Sequence, residues 1–124
     1  MLSKGKMPVA MKIREVAEAL GAKVVCGNEE LDREVEFGFA SDLMSDVLTL
    51  QTDSLLLITG LTNLQAIRTA EMSDISCVVF VRNKRVTPEM SALAQENEMV
   101  LLECPTTMFK AAGLLFGEGL KPLY

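Results

Sequence analysis

One buried-strand pattern, ending at a glycine and continuing as a helix, constrains this chain more than any other feature. Residues 54–60 read Ser-Leu-Leu-Leu-Ile-Thr-Gly, a run of apolar residues bounded by polar and turn-forming ones. Such a run is typical of a strand buried on both faces of a sheet. Gly60 is expected to free the backbone to turn, and Thr62 with Gln65 has the spacing of a helix capping box. The pattern predicts a strand, a tight turn and a helix N-terminus, which is where α/β proteins place ligands.

The same strand–helix unit recurs twice more along the chain, at apolar runs over residues 75–81 and 99–103. Successive units of this kind require parallel strands with right-handed crossovers. The sequence therefore predicts one α/β domain of three layers, a mostly parallel sheet flanked by helices. The domain is expected to span residues 11–120, after a flexible leader at 1–10 and before a C-terminal tail at 121–124. The predicted elements are helix 13–20 closed by Gly21, strands 23–26 and 35–39, a short helix starting at Ser41–Asp42, strand 54–59, helix 63–72, strand 75–81, helix 87–97, strand 99–103 and helix 105–116.

Composition limits the possible classes of function. Of the 124 residues 49% are hydrophobic and 5% aromatic, so we expect one domain with an aliphatic core. With 12 basic and 17 acidic residues the net charge is −5. That charge repels phosphate backbones, so nucleic acid is not expected as a partner. No segment has the length of a membrane span and no signal-peptide pattern is present, so we expect no membrane association and a cytoplasmic location.

The residues that carry chemistry give little support to catalysis. Histidine is absent, which removes the commonest general base and transition-metal ligand. The three cysteines lack the spacing of a zinc site or a disulfide framework, and Cys77 is expected to pack as a small hydrophobe. A helix N-terminus after Cys104 could activate its thiol, but a structural role is favoured. Asp42, Asp46 and Asp53 fit a solvated helix start better than a metal site. We expect no catalytic residue, no metal and no cofactor.

Two strand ends are candidates for binding a ligand. In parallel strands the turn after Gly60 and the turn after Cys104 lie at the same edge of the sheet, where polar side chains and free amides could hold an anion. A capped connection between strand and helix explains the same residues without a ligand, and no basic residue follows Gly60 directly. The candidate ligand-binding residues are Gly60, Thr62, Asn63, Thr106 and Thr107.

The last predicted helix is a candidate interface because it is apolar nearly all round. A helix of this kind is either central to the fold or covered by another chain, and a domain of this size has little room for a central helix. The residues proposed for a subunit contact are Met108, Phe109, Ala112, Leu115 and Phe116, with residues 120–124 extending it.

An ordered set of segments resembles the DRTGG domain family. The set comprises residues 40–48, 57–63, 67–70 and 78–81, and the resemblance runs from about Met11 to Leu120. Residues 31–33 are similar to a segment of the N-terminal domain of HPr kinase/phosphorylase, so the resemblance implies a fold like that domain. Related domains lie between the catalytic halves of bacterial phosphate acetyltransferases and beside CBS pairs. The resemblance implies a regulatory and oligomerising module without catalytic residues of its own, whose protein partner would be another chain.

Three hypotheses follow from these observations. The leading one is a non-enzymatic regulatory module that forms a homodimer and senses a small anionic metabolite. The alternative is a small-ligand or nucleotide-binding protein that uses the loops at Gly60 and Thr106. The third is an acyl- or phosphoryl-handling enzyme with Cys104 as its nucleophile, which is disfavoured because no base or metal accompanies the thiol.

Overall fold

The predicted alternation of strands and helices is present in the computed structural model, which describes residues 10–50 and 52–124. The predicted leader lies outside the described residues except for Ala10. The elements are β1 Met11–Lys12, α1 Ile13–Leu20, β2 Lys23–Cys26, a 3-10 turn Asn28–Glu30, β3 Glu34–Val35, β4 Phe37–Ala40, α2 Met44–Val47, β5 Leu55–Thr59, α3 Leu64–Met72, β6 Cys77–Phe80, α4 Pro88–Glu96, β7 Val100–Glu103, α5 Met108–Gly117 and β8 Lys121–Pro122.

Six of the strands form the main sheet in the order β2-β7-β6-β5-β4-β8. The strands from β4 to β7 and the edge strand β8 are parallel, and β2 is antiparallel to β7. Strands β1 and β3 form a separate antiparallel pair. The predicted α/β class with a mostly parallel sheet is confirmed. The predicted tail contains β8, whose Lys121 lies opposite Phe37 of β4.

The two faces of the sheet each carry a hydrophobic core. On one face, α1 and α5 pack over Leu56 and Ile58 of β5. On the other face, α2, α3 and α4 pack over Leu55 and Leu57 of the same strand. All five residues of β5 are buried, because alternate side chains enter opposite cores. The predicted strand buried on both faces is therefore confirmed.

Several predicted helix ends are correct. Gly21 ends α1 in the left-handed conformation with φ of 61°. Thr87 accepts a hydrogen bond from the amide of Met90, and Pro88 takes the first position of α4.

Three other predicted helix starts are wrong. Helix α2 begins at Met44, because Ser41 and Asp42 still lie in the connection from β4. Asn63 rather than Thr62 caps α3, accepting from the amide of Ala66 at 3.0 Å. Helix α5 begins at Met108, three residues after the predicted start at Pro105, because Thr107 is its cap.

In the part of the chain that the structure describes, every helix is too short or too polar to cross a bilayer.

Candidate functional site

The connections that follow β4, β5, β6 and β7 meet at the carboxyl edge of the parallel strands. Asp42 follows β4, Gly60 follows β5, Arg82 follows β6 and Thr106 follows β7. Because parallel strands all end at one edge, residues far apart in sequence are brought into contact there. Hydrogen bonds between the connections hold this edge together.

Asp42 is the centre of that network. Its Oδ1 accepts a hydrogen bond from the backbone amide of Gly60 at 2.6 Å and from the hydroxyl of Thr59 at 3.0 Å. Its Oδ2 lies 3.4 Å from Nη1 of Arg82. The Gly60 amide is the main cause that lowers the pKa of Asp42. Partial burial opposes this shift, and Thr59 and Arg82 add to it. The Asp42 carboxylate thus contacts both the backbone amide that begins the turn after β5 and the guanidinium group beside it.

Gly60 lies directly against the end of the Arg82 side chain, which a larger residue at this position would displace. The chain bends at Gly60 as predicted, but its φ is not in the left-handed region, so the turn does not depend on a positive φ. A Cβ at this position would lie 2.5 Å from Cζ of Arg82. The glycine thus lets the guanidinium group lie directly against the main chain of the turn.

The β6–α4 connection joins the Gly60 turn to the Thr106 turn. The amide of Arg82 donates to the carbonyl of Thr106 at 2.8 Å, and the amide of Asn83 donates to the carbonyl of Cys104 at 3.1 Å. Arg82 and Asn83 both adopt positive φ, near 60°, which folds the connection back over this edge. Its exposed residues Arg82, Lys84 and Arg85 give it a local positive charge in an acidic protein. No basic residue directly follows Gly60 in sequence, but the β6–α4 connection places the guanidinium group of Arg82 beside it.

The five predicted ligand-binding residues occupy different places at this edge. Gly60 and Thr106 contact Arg82 from two sides. The hydroxyl of Thr62 donates to the carbonyl of Gly60 at 3.3 Å. Asn63 and Thr107 cap α3 and α5, so one oxygen of each is occupied locally. The structure brings Gly60, Thr62 and Thr106 near the Asp42–Arg82 pair, and it gives the two caps a structural role.

Asp42 and Arg82 were missed as members of this site. The sequence pattern placed Asp42 at a helix start, and Arg82 carried no pattern of its own. The available signal was positional, because Asp42 and Arg82 each lie two residues after the last residue of a parallel strand, β4 or β6. Their contact spans 40 residues of sequence, so only the strand order brings it about.

The thiol of Cys104 is not accessible at this edge. The residue is 1% exposed, and its Sγ faces the carbonyl of Leu20 at 3.8 Å. A buried thiol without a base cannot reach a substrate, so the structure does not support the enzyme hypothesis. Across residues 10–50 and 52–124, no three acidic, cysteine or histidine side chains group as a metal site requires.

The predicted interface residues are divided between core and surface. Leu115 is 1% exposed and packs in the core beneath α5. Phe109 and Phe116 are 89% and 66% exposed on the outer face of the helix. Together with β4 and β8 they line an apolar groove of about 310 Å³. The groove residues are Gly38, Phe39, Ala40, Ile58, Phe109, Ala112, Gly113, Leu115, Phe116, Leu120, Lys121 and Pro122.

Comparisons with known proteins agree with this architecture. The DRTGG domain profile matches residues 15–116, which confirms the resemblance inferred from sequence. The fold is similar to the CBS and DRTGG domains of the regulatory region of Clostridium perfringens pyrophosphatase, solved in complex with its activator diadenosine tetraphosphate, with a TM-score of 0.71 and 13% identity. The match covers 86% of this chain and 46% of the other, so this chain spans about half of that structure. No curated protein matches the sequence.

Proposed function

Since the chain belongs to the DRTGG domain family, we propose that it is a non-catalytic regulatory module that acts by associating with itself through the outer face of α5. The observation that carries this proposal is the exposure of Phe109 and Phe116 beside an apolar groove. Burial of one such side chain contributes about 1.5–3 kcal/mol, so a symmetric contact gains this twice for each aromatic residue.

A regulatory role is consistent with the similar structure. In the pyrophosphatase the DRTGG domain is part of the regulatory region. The likeness concerns the fold, so the assembly of this chain is argued from its own surface. A protein partner on another chain and a cytoplasmic location stay predictions from the sequence.

The self-association is tested by light scattering after size exclusion, over a range from low to high micromolar protein. We expect the mass of a dimer for the natural chain and of a monomer for the double variant Phe109→Ser with Phe116→Ser. Met72→Ser is the matched control, because Met72 is 73% exposed on α3, on the opposite face of the sheet. A monomer at every concentration would reject the proposal.

A second candidate function is the binding of a small anionic ligand at the carboxyl edge. It is favoured by the contacts of Asp42, whose carboxylate accepts a hydrogen bond from the Gly60 amide and pairs with the guanidinium group of Arg82. A phosphate or carboxylate ligand would compete with Asp42 for these two donors. The nearby Lys84 and Arg85 would attract such a ligand.

Thermal-shift measurements against nucleotides, diadenosine tetraphosphate, acetyl phosphate and coenzyme A test this second function. A ligand at 100 times its dissociation constant adds about 2.7 kcal/mol of stability. The shift should be lost in Arg82→Ala and retained in Arg14→Ala. Arg14 is a fair control because it forms a comparable exposed pair with Asp32, at 3.2 Å. A flat response across the panel would count against a ligand role for this edge.

A further inference from the structure

Two glycines in α5 indicate how a second copy of the chain would pack. We infer that two copies associate through an antiparallel pair of α5 helices that cross at Gly113. This inference rests on the self-association proposed above and specifies its geometry. The α5 face of one copy is then covered by the α5 face of the second copy.

Gly113 and Gly117 have no role within one copy of the chain. Glycine is the weakest helix former after proline, so Gly113 in the middle of α5 lowers helix stability, while Gly117 is the last residue of the helix. Neither residue has a positive φ. A Cβ added at either position would meet open space, with no atom within 4 Å. Since neither conformation nor packing within the chain requires them, the space they leave is available to a neighbouring molecule.

The two glycines share one face of α5 with the exposed aromatic residues. Phe109, Gly113 and Gly117 follow each other at intervals of four, so they lie along one line of the helix. Ala112 and Phe116 lie beside that line. Small residues four apart let two helix backbones approach closely, and the larger aromatic side chains then pack at the ends of the contact.

An antiparallel arrangement makes this face complementary to itself. A two-fold axis near Gly113 would bring Phe109 of one copy beside Phe116 of the second copy, and the reverse. The small residues 112 and 113 would lie at the crossing point. Each aromatic pair would also cover part of the groove between α5 and β4.

The charges at the two ends of α5 favour the same arrangement. Lys110 lies in the first turn and Glu118 follows the last, with Glu15 and Glu18 close to Glu118 in a shallow acidic cleft. In an antiparallel pair, Lys110 of one copy would approach this acidic end of the second copy. A parallel pair would instead place the two lysines together, which costs free energy.

Cysteine cross-linking tests the crossing point. The three natural cysteines are buried, so Gly113→Cys adds a surface thiol to a chain whose own thiols are buried, and the natural chain is run beside it as the control. We expect Gly113→Cys to form a disulfide dimer at low micromolar protein under mild oxidation, and Met72→Cys to remain uncross-linked. We also expect Gly113→Leu to abolish the dimer, because its side chain fills the space at the crossing.

Charge reversal tests the orientation. Lys110→Glu and Glu118→Lys should each weaken the dimer about three- to tenfold, and the double variant should recover the natural affinity. Both changes suit the helix dipole, so the folded chain is not at risk.

The outcomes separate this inference from the proposed function. If the natural chain is monomeric throughout, both fail. If a dimer forms but persists in Gly113→Leu and does not cross-link at residue 113, self-association stands and the α5 pairing is overturned. If cross-linking succeeds but the double charge variant is no tighter than the single ones, the antiparallel orientation is rejected.

Discussion

The two faces of the sheet are covered to different extents. The less covered face has an apolar groove between β4 and α5. Among the described residues, one face is covered by α2, α3 and α4, and the other by α1, α5 and the small β1–β3 pair. Strand β4 explains the contrast through its alternation. Phe37 and Phe39 point to the face with three helices and pack against its core, whereas Gly38 and Ala40 line the open groove beside α5. On the α5 side Leu120 fills the space beside Gly38, where a Cβ would lie 2.7 Å from its Cδ2, and Ala40 contributes only a methyl group to the groove.

The open groove does not mean a loose core beneath it. Ile13, Val79 and Leu115 on the α1–α5 face are as fully buried as Leu57 and Phe80 on the opposite face. The α1–α5 face thus has a closely packed interior and an apolar groove on its outer side. The proposed self-association would bury that groove.

Thiol labelling should show the largest contrast. Cys77 and Cys104 lie in the core under α1 and α5, and burial raises the pKa of Cys77 to about 12. Cys26 lies at the margin of the other core and is 9% exposed, and its pKa is raised by partial burial and by Glu29. We expect Cys26 to be alkylated first, and the other two only through unfolding that costs several kcal/mol. Timed alkylation read by peptide mass spectrometry measures this, and similar rates at all three would show a loose core under the groove.

The next largest contrast is expected in the free energy of unfolding, between variants that truncate buried side chains and one that truncates an exposed side chain. Leu57→Ala and Leu115→Ala, one in each core, should each lower the free energy of unfolding by about 2–5 kcal/mol. Phe109→Ala, in the groove wall, should change it by less than about 0.5 kcal/mol. Denaturant unfolding at protein concentrations that favour the monomer gives all three values. A cost for Leu115 close to that for Phe109 would contradict an intact core on the α1–α5 face.

How far the sequence predicts this molecule depends on how local each feature is. The buried strand at β5, the cap at Thr87 and the end of α1 at Gly21 follow from neighbouring residues, and the structure confirms them. The start of α2 was wrong because Asp42 bonds to Gly60, 18 residues away, and does not cap a helix.

The candidate sites show the same limit. Arg82 reaches Gly60 only because β5 and β6 are adjacent in the sheet, which a local pattern does not reveal. On the last helix, an apolar composition all round could not tell the core residue Leu115 from the exposed Phe116. The order of the strands decides both cases.

The contacts of Asp42 at the carboxyl edge of the sheet predict how the free energy of unfolding depends on pH. The folded chain holds the pKa of Asp42 below its ordinary 3.8, so this contribution is present above that value and is lost as pH falls through the folded pKa. Asp42→Asn should lower stability by about 1 kcal/mol at neutral pH, since the carboxylate is nearly half exposed, and by nearly nothing near pH 2. Urea unfolding across this pH range tests the sign. Asp32→Asn, in an exposed pair with no backbone donor, should have a smaller effect.

Glycine replacements give small free-energy changes of opposite sign, and they separate folding from the proposed assembly most directly. Gly21 and Gly113 both face open space, but Gly21 has a φ of 61° and Gly113 has no positive φ. Gly113→Ala should therefore stabilise the monomer by about 0.5–1 kcal/mol, since alanine is the better helix former. Gly21→Ala should destabilise it by about 1 kcal/mol, because an L side chain is strained at positive φ.

Of the two variants, only the one that stabilises the monomer should weaken the dimer. Gly113→Ala adds a methyl group at the proposed crossing of two α5 helices, so sedimentation equilibrium should show a weaker dimer although the single chain is more stable. Gly21→Ala leaves that face unchanged and should retain the natural dimer affinity. A variant that is more stable as a monomer and also dimerises as tightly as the natural chain would mean that Gly113 is not at the contact. The opposite signs make this test independent of any general loss of folding, which would weaken both properties together.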